Sequence, residues 1–222
     1  MGLVDLIFPK KCVACGSFGD YVCAECINKF PEVKHQKCSM CEGRSVTGRT
    51  HKRCEKGLGM DGLVGVFRHT GVMRKMINKY KFSYVYDLVG DLSEAMISFG
   101  DMEILAKNNF SLVTCVPLHM SRLKKRGFNQ SALIAERVAK YLRIPFNENV
   151  LERVKNTRVQ SGLVRKDRVK NINGAFRLVE DVQGKKVLLV DDVWTTGSTM
   201  REGVRVLKRN RAKEVWGLVL AM

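Results

Sequence analysis

The order of residue types over positions 187–199, Val-Leu-Leu-Val-Asp-Asp-Val-Trp-Thr-Thr-Gly-Ser-Thr, constrains the fold of this chain more than any other stretch. Residues 187–190 form a short apolar run after the turn-like Gly184, Lys185 and Lys186, the pattern of a strand buried on both faces of a parallel sheet. Asp191 and Asp192 then stand at the strand's carboxyl end, where open α/β sheets bind ligands. Thr195, Thr196, Gly197, Ser198 and Thr199 follow, offering hydroxyls and backbone N–H groups, and Gly197 permits close backbone approach to an anion. Met200, Val204 and Leu207 recur at helical spacing, with Arg201, Glu202, Arg205 and Lys208 on the other face. The turn therefore opens a helix, whose dipole favours a phosphate at its start.

Adjacent carboxylates beside such a cradle suit a ligand with vicinal hydroxyls, a Mg²⁺ ion and a phosphate at the far end of a sugar. The plainer reading is a strand-to-helix turn in which the Asp pair caps backbone groups. A second rival takes the same run as the Walker B strand of a nucleotide hydrolase. Its partner would have to be residues 43–50, but there Arg49 replaces the required Lys, and the stretch lies between Cys41 and Cys54 rather than after a strand. The run closely resembles the phosphoribosyl pyrophosphate (PRPP) motif of type I phosphoribosyltransferases. That resemblance implies that Asp191 and Asp192 hold the ribose hydroxyls, directly or through Mg²⁺, and that residues 195–199 hold the 5′-phosphate.

Seven of the eight cysteines fall in the first 54 residues: Cys12 with Cys15, Cys23 with Cys26, Cys38 with Cys41, then Cys54 paired with His51 at the same spacing. These pairs supply enough donors for two tetrahedral zinc sites, because a C-x-x-C turn aims two thiolates at one ion. A disulfide framework would need an oxidising compartment. Residues 1–9 lack the basic region and cleavage site of a secretory signal, no apolar run approaches bilayer length, and a cytoplasmic protein without membrane insertion is expected. Sequential sites are expected (Cys12, Cys15, Cys23, Cys26; then Cys38, Cys41, His51, Cys54), with an interleaved arrangement as the alternative. With every position filled by protein, the zinc is structural. His35 has no partner at ligand spacing and reads as a surface residue.

The 222 residues accommodate one α/β domain and a small metal module, with glycines at 57–62 between them; the expected division is 1–57 and 58–222. A formal net charge of +17 suits polyanionic partners such as PRPP, RNA or single-stranded DNA. After the boundary the pattern predicts a strand at 63–67, a short basic helix at 72–80, a helix at 88–99 and a buried strand at 112–117 that contains a packed Cys115. Residues 117–130 then gather Arg122, Lys124, Lys125 and Arg126 into one loop at the same sheet edge as Asp191, and Asn129 caps the next helix. A second basic segment, 153–171, reads as a loop that could close over pyrophosphate or lie as a surface excursion. The expected pyrophosphate or nucleic-acid contacts are Arg122, Lys124, Arg126, Lys166 and Arg168. Trp194 could stack on a base, although an exposed loop aromatic is the simpler reading.

The zinc pairs, Pro117 with the Arg-Gly-Phe-Asn-Gln of 126–130, Arg153 with Thr157, Gln160, Leu163, Arg168 and Asn171, Gly174-Ala-Phe, and the Asp191 motif together resemble the ComF family, in order along nearly the whole chain. His51 departs from it, standing where a fourth C-x-x-C would be expected. The resemblance implies a type I phosphoribosyltransferase-like α/β fold, a parallel sheet flanked by helices and preceded by a double zinc ribbon. The best-known members serve uptake of transforming DNA, and others are described only as predicted amidophosphoribosyltransferases. Three functions share that fold. The first is Mg²⁺-dependent phosphoribosyl transfer to an unknown acceptor, with Asp191 and Asp192 as catalytic residues. The others are single-stranded DNA binding alongside DNA-uptake proteins and PRPP sensing without turnover.

Overall fold

In the computed structural model, which describes residues 9–83, 86–157 and 171–222, four strands form a parallel sheet. They are β1 (Gly62–Phe67), β2 (Leu112–Cys115), β5 (Lys186–Val193) and β6 (Glu214–Ala221), in the order β1-β6-β5-β2. Two short strands, β3 (Leu151–Arg153) and β4 (Phe176–Leu178), pair antiparallel beside it. The helices are α1 (Ala24–Ile27), α2 (Gly71–Ser83), α3 (Tyr86–Phe99), α4 (Met102–Lys107), α5 (Met120–Arg126), α6 (Gln130–Leu142) and α7 (Ser198–Arg209).

The predicted apolar run is the interior strand β5, and its period of two divides the core. Leu188 and Val190 enter one apolar cluster with Leu88, Leu92 and Met96 of α3 and Ile134, Ala135 and Val138 of α6. Val187 and Leu189 enter the other, with Met200, Val204 and Leu207 of α7, Leu151 and Phe176. Helices cover both faces, so strands buried on two sides read as continuous apolar sequence.

Strand β1 lies at the sheet edge, and the cysteine-rich segment runs along it. Glu32 and Arg49 form single bridges to Phe67 and Gly62. The Val33 N–H donates to the Val66 carbonyl at 2.9 Å and the Leu63 N–H to the Gly48 carbonyl at 2.8 Å. Gln36 completes the seam: its amide nitrogen donates to the Gly65 carbonyl at 3.0 Å, while its amide oxygen accepts from the Gly65 N–H at 2.9 Å. A bare strand edge is thereby closed to pairing with another chain. Val22 and Phe30 enter the α3–α6 cluster, Phe30 meeting Phe67 edge-on at 5.2 Å between ring centroids.

The basic stretch after β2 differs from the expected loop. Residues 120–126 form α5, started by His119, whose Nδ1 accepts from the Ser121 N–H, and closed by Gly127 in the left-handed conformation (φ 79°). A helix separates neighbours that a loop could converge: Arg122 and Arg126 turn partly inward, while Lys124 and Lys125 face solvent. Among the described residues no helix is long and apolar enough to cross a membrane.

Candidate phosphosugar site and metal centres

The carboxyl ends of β5 and β2 meet at one edge because the two strands are adjacent and parallel, with Cys115 level with Val190. Asp191 and Asp192, both buried, occupy that edge. Asp191 Oδ1 accepts from the Ser131 hydroxyl and from the Asp192 N–H, each at 2.9 Å. Ser131 lies in the first turn of α6, whose start is fixed by Asn129. The Asn129 side-chain oxygen accepts from the Ser131 N–H at 3.2 Å, and its amide nitrogen donates to the Val116 carbonyl at 3.1 Å. The α6 amino terminus thus faces the carboxylate, a favourable placement for the dipole.

After β5 the chain turns through residues 195–199 and opens α7 with Gly197 as N-cap (φ 70°). A Cβ there would lie 2.3 Å from the Trp194 ring, so both the backbone conformation and the space demand glycine. Thr196 and Ser198 hydroxyls are 2.6 Å apart, and with Thr195, Gly197, Thr199 and Asp191 they border a small cavity. Trp194 is not the exposed aromatic that its loop position suggests. It is 8 % accessible, wedged beneath Gly197 with the Arg201 guanidinium 4.7 Å from its ring centroid, and cannot offer a stacking face. Glu202, expected on the solvent face of α7, turns inward to accept the Gly174 N–H at 2.7 Å and to pair with Arg205.

Two cations meet at Thr157, whose carbonyl accepts from Arg122 and whose hydroxyl accepts from Arg153. Burial, then the neighbouring Arg122, pushes the Arg153 guanidinium down to about 10, against a smaller opposing pull from Asp191. Burial followed by Arg126 lowers Arg122. The two guanidiniums are thus crowded together and partly stripped of water. Arg126 instead donates to Gln130 Oε1 at 3.2 Å, and Lys124 is solvent-exposed away from this group. Lys166 and Arg168 lie outside the described residues. Arg153 and Ser131 were not among the expected contacts. Ser131 follows directly on the Arg-Gly-Phe-Asn-Gln stretch, and Arg153 opens the second basic segment, but neither position reveals that a strand and a helix turn them toward Asp191. Cys115 is fully buried, its thiol pushed up by desolvation and then by Glu148 and Asp191, as expected of a packing residue.

The metal ligands assemble sequentially. Cys12, Cys15, Cys23 and Cys26 form one group and Cys38, Cys41, His51 and Cys54 the other, with ligand atoms within 4.8 Å of one another in each. Zinc bound at about 2.3 Å to tetrahedral thiolates holds sulfurs about 3.8 Å apart. Cys15 and Cys23 Sγ are separated by 3.6 Å, and Cys41 Sγ lies 3.4 Å from His51 Nδ1. His51 Nε2 lies 2.9 Å from the Arg44 carbonyl, which accepts its proton and leaves Nδ1 for a metal, the outer-shell arrangement usual for ligating histidines. The Ser17 hydroxyl and then its N–H bring Cys15 down to about 6. Cys38 also falls to about 6, burial being outweighed by N–H groups of Cys41, His51 and Met40. Both groups fit structural zinc. His35 is exposed and belongs to neither.

Comparison with known proteins agrees with both halves. Residues 129–221 match the phosphoribosyl transferase domain model and residues 3–56 the double zinc ribbon domain model. DNA utilization protein YhgH of Escherichia coli is 31% identical over 205 residues, 82% of this chain and 88% of that one. The chain belongs to the ComF family. Competence protein F of Haemophilus influenzae is 41% identical over 111 residues, 48% of either chain. Competence protein ComFC of Streptococcus pneumoniae is 26% identical over 200 residues, 87% of this chain and 84% of its own. This ComF-family protein thus carries a phosphoribosyltransferase fold behind a double zinc ribbon, and its two zinc sites are structural.

Proposed function

We propose that this ComF-family protein binds PRPP with Mg²⁺ at the β5 edge and transfers its phosphoribosyl group to a nitrogenous acceptor, releasing pyrophosphate. The observation that carries the reading is the Ser131-oriented Asp191 standing directly before the Gly197-capped turn. Residues 195–199 hold the 5′-phosphate through N–H groups and hydroxyls at the start of α7. Asp191 and Asp192 take the ribose hydroxyls, hard oxygen ligands that also suit Mg²⁺. When bound, Mg²⁺ neutralises charge on the pyrophosphate. Arg122 and Arg153, which meet at Thr157, support this reading as preorganised cations that stabilise charge developing on the leaving group as the C1′–oxygen bond breaks. In this reading residues 1–57 form the zinc module, residues 58–222 the PRPP-binding domain, and the protein works in the cytoplasm.

Calorimetric titration of PRPP into zinc-loaded protein, with and without Mg²⁺, tests it. Micromolar binding that needs Mg²⁺ and vanishes in Asp191→Asn/Asp192→Asn supports the site; absence of binding at high PRPP overturns it.

A second reading draws on the net charge of +17 and on relatives named for competence and DNA utilization. Here cationic loops hold single-stranded DNA in service of DNA uptake. The same double Asp variant separates the two, since DNA held by cations alone survives loss of the carboxylates. A protein that binds PRPP but consumes none with any acceptor would act as a PRPP sensor.

A further inference from the structure

One side chain joins the second metal centre to the turn that precedes α7. Arg201 donates to the Thr196 carbonyl at 2.7 Å, within the 195–199 turn, and to the Ser39 carbonyl at 2.5 Å, between the ligands Cys38 and Cys41. Its guanidinium also covers Trp194, the ring that fills the space beneath Gly197. The knuckle end of this link is braced: Ser39 is buried, its hydroxyl lies 2.9 Å from that of Thr50, and the Thr50 hydroxyl donates to the Met60 carbonyl at 2.6 Å. The direction of the Ser39 carbonyl therefore depends on the Cys38–Cys41 turn, whose shape a bound ion holds. At the other end the Thr196 carbonyl belongs to the peptide that leads into Gly197, so its direction sets where the following N–H groups point.

We propose that Arg201 is a positioning residue through which zinc in the Cys38, Cys41, His51, Cys54 site sets the conformation of the 195–199 turn. Loss of that zinc slackens the turn and lowers its affinity for phosphate while the sheet stays folded. The consequence for affinity rests on the reading of 195–199 as the phosphate-binding turn; the mechanical link does not. A fork that donates to two carbonyls and stacks on a ring is a task for arginine, and neither lysine nor an uncharged side chain reproduces it.

The test uses full-length, zinc-loaded protein labelled with 5-fluorotryptophan, the two ¹⁹F resonances being assigned with Trp194→Phe. His51→Ala, which weakens the second site, and Arg201→Met, which keeps both zinc ions, are each expected to shift the Trp194 resonance. His51→Cys restores four donors and leaves it in place. Each single variant should weaken binding of Mg²⁺·PRPP about tenfold, the scale of a lost charge-assisted hydrogen bond, and the double variant should lose no more than either. Multiplicative losses in the double variant, or an unmoved Trp194 resonance in Arg201→Met with two zinc ions retained, overturn the proposal. Should His51→Ala not fold, stepwise withdrawal of zinc from wild type decides it: a Trp194 resonance unmoved when the second site empties overturns the proposal. If wild type binds no PRPP, the PRPP reading fails, and the Trp194 resonance still decides the link.

Discussion

Ser131 Oγ donates to Asp191 Oδ1 at 2.9 Å, joining the first turn of one helix to the end of a strand 60 residues away. This bond orients a carboxylate that also accepts the Asp192 N–H, so one Asp191 oxygen is committed to the protein. Ser131→Ala should keep the fold, lose about 1 kcal/mol of stability and weaken Mg²⁺·PRPP binding several-fold, since the carboxylate remains but is no longer aimed. Urea unfolding and calorimetry measure the two effects; unchanged affinity would remove Ser131 from the site.

Gly197→Ala meets two penalties at once. A left-handed φ costs a non-glycine residue roughly 1–2 kcal/mol, and the new methyl would strike a Trp194 ring that is itself buried. The turn must rearrange. PRPP binding should be lost and the tryptophan fluorescence altered, while far-UV circular dichroism stays close to wild type.

Arg153 makes an opposite prediction for stability and for binding. A base whose pKa falls on folding binds protons less readily in the folded state. Its charge therefore penalises folding at every pH below its folded value of about 10, and the penalty fades only as pH rises through that value toward the ordinary range of a free guanidinium. In buffer free of phosphate near neutral pH, Arg153→Met should be at least as stable as wild type. Added inorganic phosphate should raise the wild-type melting temperature more than that of the variant, which keeps only the 195–199 turn. Equal stabilisation of both would show that Arg153 is not part of an anion subsite.

Zinc analysis should find two ions per chain, and one in His51→Ala. Because the ligands bind as thiolates and neutral imidazole, protons compete with the metal, so zinc is retained at neutral pH and released as pH falls. A strong chelator should unfold the segment along β1 before the sheet. Hydrogen exchange at Leu63 and Gly65, whose N–H groups donate to Gly48 and Gln36, would report that loss locally.

Much of this was legible in the residue order because it is local. A buried parallel strand must be apolar on both faces, so residues 187–190 declared β5. Ligands for one ion must sit on tight turns, so the C-x-x-C spacing declared both metal groups. Spacing favoured successive pairs without deciding against alternate ones, and the structure brings together successive pairs, with the local bridges Lys11–Phe18 and Lys37–Arg44 closing their turns.

The misreadings share a cause. Trp194 looked exposed because it lies in a loop, yet the left-handed Gly197 folds that loop back over the ring, and Arg201 covers it from α7. Residues 120–126 looked like one cationic loop, but helical geometry spreads consecutive side chains around an axis and sends Lys124 to solvent while Arg122 turns to Thr157.

The sequence by itself determined the long buried strands, the metal donors and the carboxylate pair at a strand end, because each is set by residues within a few positions of one another. Only the tertiary structure decided that Ser131 orients Asp191, that Thr157 gathers Arg122 and Arg153, and that Arg201 ties a metal knuckle to the 195–199 turn. Those contacts join segments far apart in the chain, and their geometry depends on how helices and strands pack rather than on any local pattern.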